Sequence, residues 1–181
     1  MKIILVRHGE SEHNVGLTEN EDVSLTKKGR KQAESLGRRL RKENISEIYV
    51  SKKLRAKETA QIISKIIKEP IKGEFEELNE YDGKILKSRL RILFNSRFKK
   101  LKKLLRNISK NKNEDETILI VAHGIANRII MAYFLELPLK KQMLRFKQQN
   151  TGLSILYWNE TYKNWALDSM NDISHLEEKL K

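Results

Sequence analysis

The sequence predicts an α/β fold in three layers, with helices on both faces of a mainly parallel sheet and a basic helical cap segment added to it. Two observations carry that prediction. Short aliphatic and β-branched runs alternate with helix-periodic segments along the whole chain. The runs Lys2–Val6 and Thr117–Ala122 are almost wholly apolar, as in strands covered on both faces. The 181 residues hold no internal repeat and no low-complexity linker, so a single domain over 1–181 is expected, with the cap at 84–112 inside it.

Taken in order, Lys2–Val6 reads as a buried parallel strand. Thr26 is placed to cap a helix whose buried face carries Ala33, Leu36 and Leu40. Glu47–Val50 is the second strand, and Ser51 is expected to cap the helix after it, with Leu54, Ile62, Ile63, Ile66 and Ile67 on the apolar side. Pro70 ends that helix, and Ile71–Phe75 reads as a third strand. Leu90, Phe94, Phe98, Leu101, Leu105 and Ile108 recur at helical spacing and form one apolar stripe. The run Thr117–Ala122 (TILIVA) is the clearest buried strand. An apolar helix follows over Ile125–Leu135 and stops near Pro138, and Leu153–Trp158 with Trp165–Asp168 reads as a terminal hairpin.

Charge is concentrated in one place. Twelve basic residues and no acidic one lie between Lys84 and Asn113, leaving 25 basic against 24 acidic residues elsewhere in a chain of net charge +13. The bland reading is a docked helix with a solvated face; the functional one is a surface for an anion, whether substrate phosphate, nucleic acid or anionic lipid.

Several chemistries are excluded. The chain has no cysteine, so disulfides, thiol nucleophiles and cysteine-ligated metals are absent. No apolar run approaches the roughly 18 residues of a membrane span, and the N-terminal run is too short for a signal peptide, so a cytoplasmic location is expected. The G-x-S-x-G elbow of serine hydrolases and the H-E-x-x-H metal motif are missing.

What remains is a pair of histidines at strand ends, in Arg7-His8-Gly9-Glu10-Ser11 and Ala122-His123-Gly124. Open α/β sheets bind ligands beyond the carboxyl ends of their strands, and each glycine lets backbone approach a ligand there. Arg7 and Arg55 accompany them. A guanidinium forks onto phosphate oxygens, and the helix N-terminus near Ser51–Arg55 adds partial positive charge, so the residues point to phosphoryl transfer.

The motifs resemble those of the histidine phosphatase superfamily, the cofactor-dependent phosphoglycerate mutase-like family. Arg7-His8-Gly9-Glu10-Ser11 with Asn14 resembles its nucleophile signature, and Asp22-Val-Ser-Leu-Thr26-Lys-Lys-Gly29-Arg-Lys-Gln32-Ala33 its D-x-P-L-T-x-x-G-x-x-Q-A block. Ser51-Lys-Lys-Leu-Arg55-Ala56-Lys-Glu-Thr59-Ala60, Leu78-Asn79-Glu80, Ala122-His123-Gly124, Asn150-Thr-Gly-Leu-Ser154 and Asn171-Asp-Ile-Ser-His175-Leu176 resemble the later blocks, in order. The chain departs from the pattern at Ser24, usually proline, and in a short loop over 15–21. It also lacks the long insertion of the glycolytic mutases.

The resemblance implies that His8 is the nucleophile, forming a phosphohistidine. It implies that Arg7, Arg55 and His123 bind the phosphoryl group, that Asn14 and Gly124 complete the pocket, and that Glu80 is the general acid and base. No metal and no other cofactor is implied. A small anionic phosphorylated substrate is expected, turned over by a phosphatase; the alternatives are mutase-type phosphoryl transfer and, in a different class, an RNA- or polyanion-binding protein on the same fold. Ser11 reads as a cap for a following helix, His13 as a loop residue, His175 as a hydrogen-bonded structural histidine, and the basic helix as a rim that gathers anions at the active-site mouth.

Overall fold

The structure is a computed structural model describing residues 1–20, 22–81, 91–110, 115–137 and 145–181, with side chains described outside 91–95. Six strands form one sheet in the order β3-β2-β4-β1-β5-β6. Strands β1 (Lys2–Arg7), β2 (Ile45–Ser51), β3 (Ile71–Phe75) and β4 (Thr117–Ala122) are parallel, while β5 (Leu153–Asn159) and β6 (Asn164–Asp172) form the antiparallel hairpin read from the sequence. The helices are α1 (Lys27–Leu40), α2 (Leu54–Ile67), α3 (Arg91–Ser109) and α4 (Gly124–Phe134).

Handedness explains the layering. The chain moves outward from β1 to β2 to β3, then returns to insert β4 between β2 and β1. Right-handed crossovers put α1 and α2 on one face during the outward run and α3 on the other during the return. Both faces of the inner strands are therefore covered. Ile4, Val6, Leu119 and Val121 pack with Leu36, Leu40, Ala56, Ala60 and Ile63, whereas Ile3, Leu5, Ile118 and Ile120 pack with Leu101, Leu105, Ile108, Ile129 and Ile130. That is why these strands read as apolar runs without alternation.

Local signals met different fates. Thr26 caps α1 as expected, its hydroxyl accepting from Gly29 N at 3.0 Å. Ser51 does not provide the N-cap of α2. Lys53 stands at that position without a side-chain bond, and Asp22 Oδ1 accepts from Leu54 N at 2.8 Å from across a loop. Leu54 is 36% exposed, because the buried face of α2 is formed by Arg55, Ala56, Thr59, Ala60 and Ile63. The helix ends at Lys68, in the left-handed region at φ 63°, two residues before Pro70. Ser11 caps no helix: the following residues form turns, and Ser11 bridges to Leu25.

The expected apolar stripe of the basic segment is present in α3. Leu101, Leu105 and Ile108 are buried in the layer beneath the sheet, Phe98 is partly buried, and Lys99, Lys100 and Lys103 stay exposed. The rest of the predicted 84–112 cap, with Leu90, and the stop at Pro138 lie outside the described residues; Phe94 falls where side chains are not described. Among the described residues no helix is long and apolar enough to cross a membrane.

Candidate active site

The return of the chain into the sheet makes β1 and β4 neighbours, in register to Arg7 opposite Ala122. The residue after each strand is a histidine, and His8 N donates to Ala122 O at 3.0 Å. The two imidazoles meet edge to face, with ring centroids 5.0 Å apart. Both are buried, His8 at 2% exposure and His123 at 0%.

His8 is fixed in one tautomer. Its Nδ1 lies 2.7 Å from Gly9 O, which can only accept, so Nδ1 carries the proton and Nε2 keeps a lone pair. That lone pair faces Arg55, whose Nε donates to it at 3.1 Å. Burial, then His123, Arg55 and Arg7, holds the His8 pKa well below its ordinary 6.5. The same causes act on His123, where burial leads and Arg55 and Arg7 follow, lowering its pKa to about 2. Both rings are neutral at physiological pH.

The supporting residues come from the predicted motif blocks. Thr59, one turn after Arg55 in α2, donates to Arg55 O at 2.8 Å and accepts from Gly9 N at 3.0 Å, tying the helix to the His8 turn. Asn150 donates to His8 O at 3.0 Å and to Asn14 Oδ1 at 3.1 Å. Asn14 Oδ1 also accepts from Ser11 N and Oγ, so Asn14 lies beside the histidine turn with its carbonyl oxygen committed to the loop. Gly9 serves a different approach from the one expected: a Cβ there would lie 2.6 Å from Gly29 O, so glycine lets α1 close on the turn. A Cβ on Gly124 would meet Arg7 Cδ and Nε at an ordinary 3.8 Å.

Arg7 leaves the end of β1 and donates from Nη1 to Gln148 O at 2.8 Å. Glu80 sits on the N-terminus of α4, its Oε1 accepting from Ile125 N at 3.1 Å, Ala126 N at 3.2 Å and Tyr81 N at 3.0 Å. Burial raises the Glu80 pKa, against those three N–H groups and Arg7, which lower it.

The sequence reading missed the places of two further residues, Ser51 and Arg97. Ser51 Oγ lies 2.7 Å from His123 Nε2 and 2.8 Å from Asn79 Oδ1, linking the S-x-x-x-R block to the second histidine. His123 Nδ1 is buried with no hydrogen-bond partner among the described residues. Arg97 leaves α3 to donate from Nη2 to Asn79 O at 3.0 Å and Glu80 O at 3.2 Å, and its guanidinium carbon lies 3.9 Å from the Tyr81 ring centroid. One member of the basic run therefore holds the Glu80 loop. His13 is exposed, as expected, and His175 is structural, its Nε2 3.2 Å from Thr151 Oγ1.

Comparison with known proteins points the same way. The family model described as "Histidine phosphatase superfamily (branch 1)" matches residues 3–92 and 94–173. A relative named as a probable phosphoglycerate mutase, from Photorhabdus laumondii, is 28% identical over 98% of this chain and 95% of its own. A crystal structure of phosphoserine phosphatase from Entamoeba histolytica, in complex with 3-phosphoglyceric acid, superposes with a TM-score of 0.77 at 26% identity, over 97% of this chain and 99% of that one. A mycobacterial glucosyl-3-phosphoglycerate phosphatase shares the fold, with a TM-score of 0.74 at 20% identity over 94% of this chain and 98% of that one.

Proposed function

Given that the chain belongs to the histidine phosphatase superfamily, we propose that it is a metal-independent phosphatase that hydrolyses a phosphomonoester through a phosphohistidine on His8. The observation that carries this reading is the buried, neutral His8 ring, with its Nδ1 proton on Gly9 O and its Nε2 lone pair directed at Arg55. A nucleophilic imidazole needs that lone pair, and burial, with the neighbouring cations, keeps it unprotonated.

On arrival of the phosphoryl group, its oxygens take over the N–H of Arg55 and Arg7 binds the rest; His123, whose Nε2 proton is committed to Ser51 Oγ, becomes a donor to the phosphoryl group once Nδ1 takes up a proton. These groups are fixed in a buried site, where they stabilise the charge spread over the equatorial oxygens. His8 Nε2 bonds to phosphorus as the bond to the leaving oxygen breaks. Glu80, protonated, gives its proton to that oxygen. Water then attacks phosphorus, its proton passes to the Glu80 carboxylate, and the P–N bond breaks to release inorganic phosphate.

A mutase is the second reading, favoured by the name of the Photorhabdus relative. The same phosphohistidine would then pass its phosphoryl group to a second organic acceptor. The solved relatives named above are phosphatases, and this chain lacks the long mutase insertion, so hydrolysis is preferred. No comparison supports the RNA-binding alternative.

The test uses a 32P-labelled phosphomonoester with EDTA present. The proposal expects acid-labile, alkali-stable label on the protein, absent from His8→Ala, and phosphate release that chelation leaves unchanged. Transfer of the label to phosphoglycerate in preference to water would move the assignment to a mutase. Activity that EDTA removes and a divalent metal restores would refute the metal-independent reading.

A further inference from the structure

A cavity of about 610 Å³ lies between α3, the end of α4 and the β5–β6 hairpin. Among the described residues its wall is aromatic, with Phe98 from α3, Tyr133 and Phe134 from α4, and Trp158 and Trp165 from the hairpin; these two are all the tryptophan of the chain. The volume falls within the roughly 300–1,000 Å³ of small-molecule sites.

This cavity is remote from the histidines. Trp158 N donates to Met1 O at 3.0 Å, before the start of β1, whereas His8 follows the end of that strand. Helix α4 leaves His123 and borders the cavity only with its last turn, about 16 Å along its axis. The reaction proposed at His8 makes no use of it.

The rings are ordered against one another but not sealed. Trp165 lies 4.7 Å from Phe134 and 5.9 Å from Trp158 between centroids, and Tyr133 lies 5.1 Å from Phe134. Of the five, only Phe134 is buried; Phe98, Tyr133, Trp158 and Trp165 keep part of their surface in solvent. Rings already held by their neighbours lose little side-chain freedom when a planar group stacks on them.

Two charged side chains border the same space. Lys102 Nζ lies 4.6 Å from the Phe98 ring centroid and has no hydrogen bond or ion pair among the described residues. Glu136 is exposed, and its carboxylate is also unpaired among the described residues. Glu160, bonded to Trp158, is matched by Lys163. The surroundings decide which sign a ligand needs. Lys99, Lys103 and Arg106 stand within about one turn of Lys102 and are exposed, in a run that holds no acid from Lys84 to Asn113. The field along α3 is therefore positive and favours a net anion, with Glu136 left to accept from hydroxyl groups. A planar heteroaromatic ring, hydroxyls and an anionic tail occur together in nucleoside phosphates.

We propose that this cavity is a nucleotide-binding site, separate from the proposed phosphoryl site at His8, in which the base stacks on the aromatic wall and Lys102 holds the phosphates.

Both tryptophans line the cavity, so their emission reports its occupancy. The protein is titrated with α,β-methylene-ADP, whose terminal phosphorus is held by a P–C bond that a phosphatase does not hydrolyse, with inorganic phosphate in excess to occupy the site at His8. Adenosine, methylenebisphosphonate and tryptamine serve as comparisons. Saturable quenching is expected, with a Kd at least about tenfold below those of adenosine and methylenebisphosphonate, because only the nucleotide uses both the rings and the cation. In Lys102→Gln, at a half-exposed position, the Kd of the nucleotide should rise at least about fivefold while that of adenosine stays the same. Tyr133→Leu should weaken the nucleotide and adenosine alike.

An emission unchanged by the nucleotide, equal affinity for the nucleotide and methylenebisphosphonate, or an unaltered Kd in Lys102→Gln overturns the proposal. Quenching that inorganic phosphate abolishes would place the nucleotide at His8 and overturn it as well. Tighter binding of tryptamine than of the nucleotide would do the same, and would give the cavity to an aromatic cation at Glu136.

Discussion

Acid should unfold this protein by a route that begins at its active site. His8 and His123 are buried and neutral, with His123 held to about pKa 2 and His8 well below 6.5. The unfolded chain protonates both near 6.5. A group whose folded pKa is depressed in this way costs nothing at alkaline pH and removes stability as pH falls below 6.5. An imidazole that can protonate only when unfolded costs about RT ln(1 + 10^(6.5 − pH)), or about 2 kcal/mol at pH 5. His123 alone therefore removes about 2 kcal/mol between pH 8 and pH 5, a sizeable part of the roughly 5–15 kcal/mol that folded domains possess, and His8 acts in the same direction.

His175, lowered to about 4 mainly by burial, adds in the same direction. Glu80 acts oppositely, since its raised folded pKa returns stability as pH falls through it. Carboxylates with lowered pKa values, such as Glu43, lose their contribution only as pH falls below their unfolded value near 4.5, outside this interval. The assay is urea unfolding followed by the fluorescence of Trp158 and Trp165 at pH 8, 7, 6 and 5. His8→Asn should make the pH-dependent loss smaller, whatever its stability at pH 8. A flat profile for the wild-type chain, or an unchanged slope in His8→Asn, would refute the assignment of neutral buried rings.

Three other outcomes follow from the site. Glu80→Gln should slow turnover of an alkyl phosphate at least tenfold more than that of an activated aryl phosphate, since only the poor leaving group needs its proton; equal slowing by steady-state kinetics would count against the role. Ser51→Ala should lower kcat about ten- to a hundredfold, as expected for a lost buried hydrogen bond of about 1–3 kcal/mol, with Ser51→Thr restoring most of it; a kcat within twofold of wild type in both would mean that Ser51 does not position the His123 ring. Arg97→Ala should raise KM little and lower kcat for alkyl phosphates more than for aryl phosphates, because it loosens the Glu80 loop rather than the proposed phosphoryl site at His8. Unchanged leaving-group dependence would make Arg97 structural only.

The parts of this fold legible in the sequence are those set by short-range physics. Apolar runs marked β1 and β4 because both sheet faces are covered, and Thr26 capped α1 through a bond three residues away. The motif blocks placed His8, Arg55 and His123, which the structure brings together. Ser51 was misread because the local signal for a cap and the long-range bond to His123 use the same hydroxyl, and only the β2–β4 pairing brings the two within reach. Arg97 was hidden for a different reason. Within an acid-free run of cations one arginine looks like the others, and its role depends on where α3 crosses the Glu80 loop.

That loop shows how the fold divides the work between two carboxyl-end segments. Glu80 accepts the free N–H groups that open α4, the helix that begins immediately after His123. Those donors, together with Arg7, favour the carboxylate, while burial favours the acid and prevails in the unliganded site. In the proposed reaction a phosphate dianion arrives at Arg7 and screens that cation from Glu80. Its negative charge also opposes a second one nearby, so substrate binding pushes Glu80 further toward the protonated form needed for the first step. Once the leaving group has departed with its share of negative charge, the α4 donors, which Glu80 Oε1 keeps throughout, stabilise the carboxylate that accepts a proton from water. A glutamate held only by solvent would lack this alternation, and one held by a lysine would stay ionised throughout. Capping the helix that begins immediately after His123 gives Glu80 partners strong enough to hold it in place and weak enough to lose to burial.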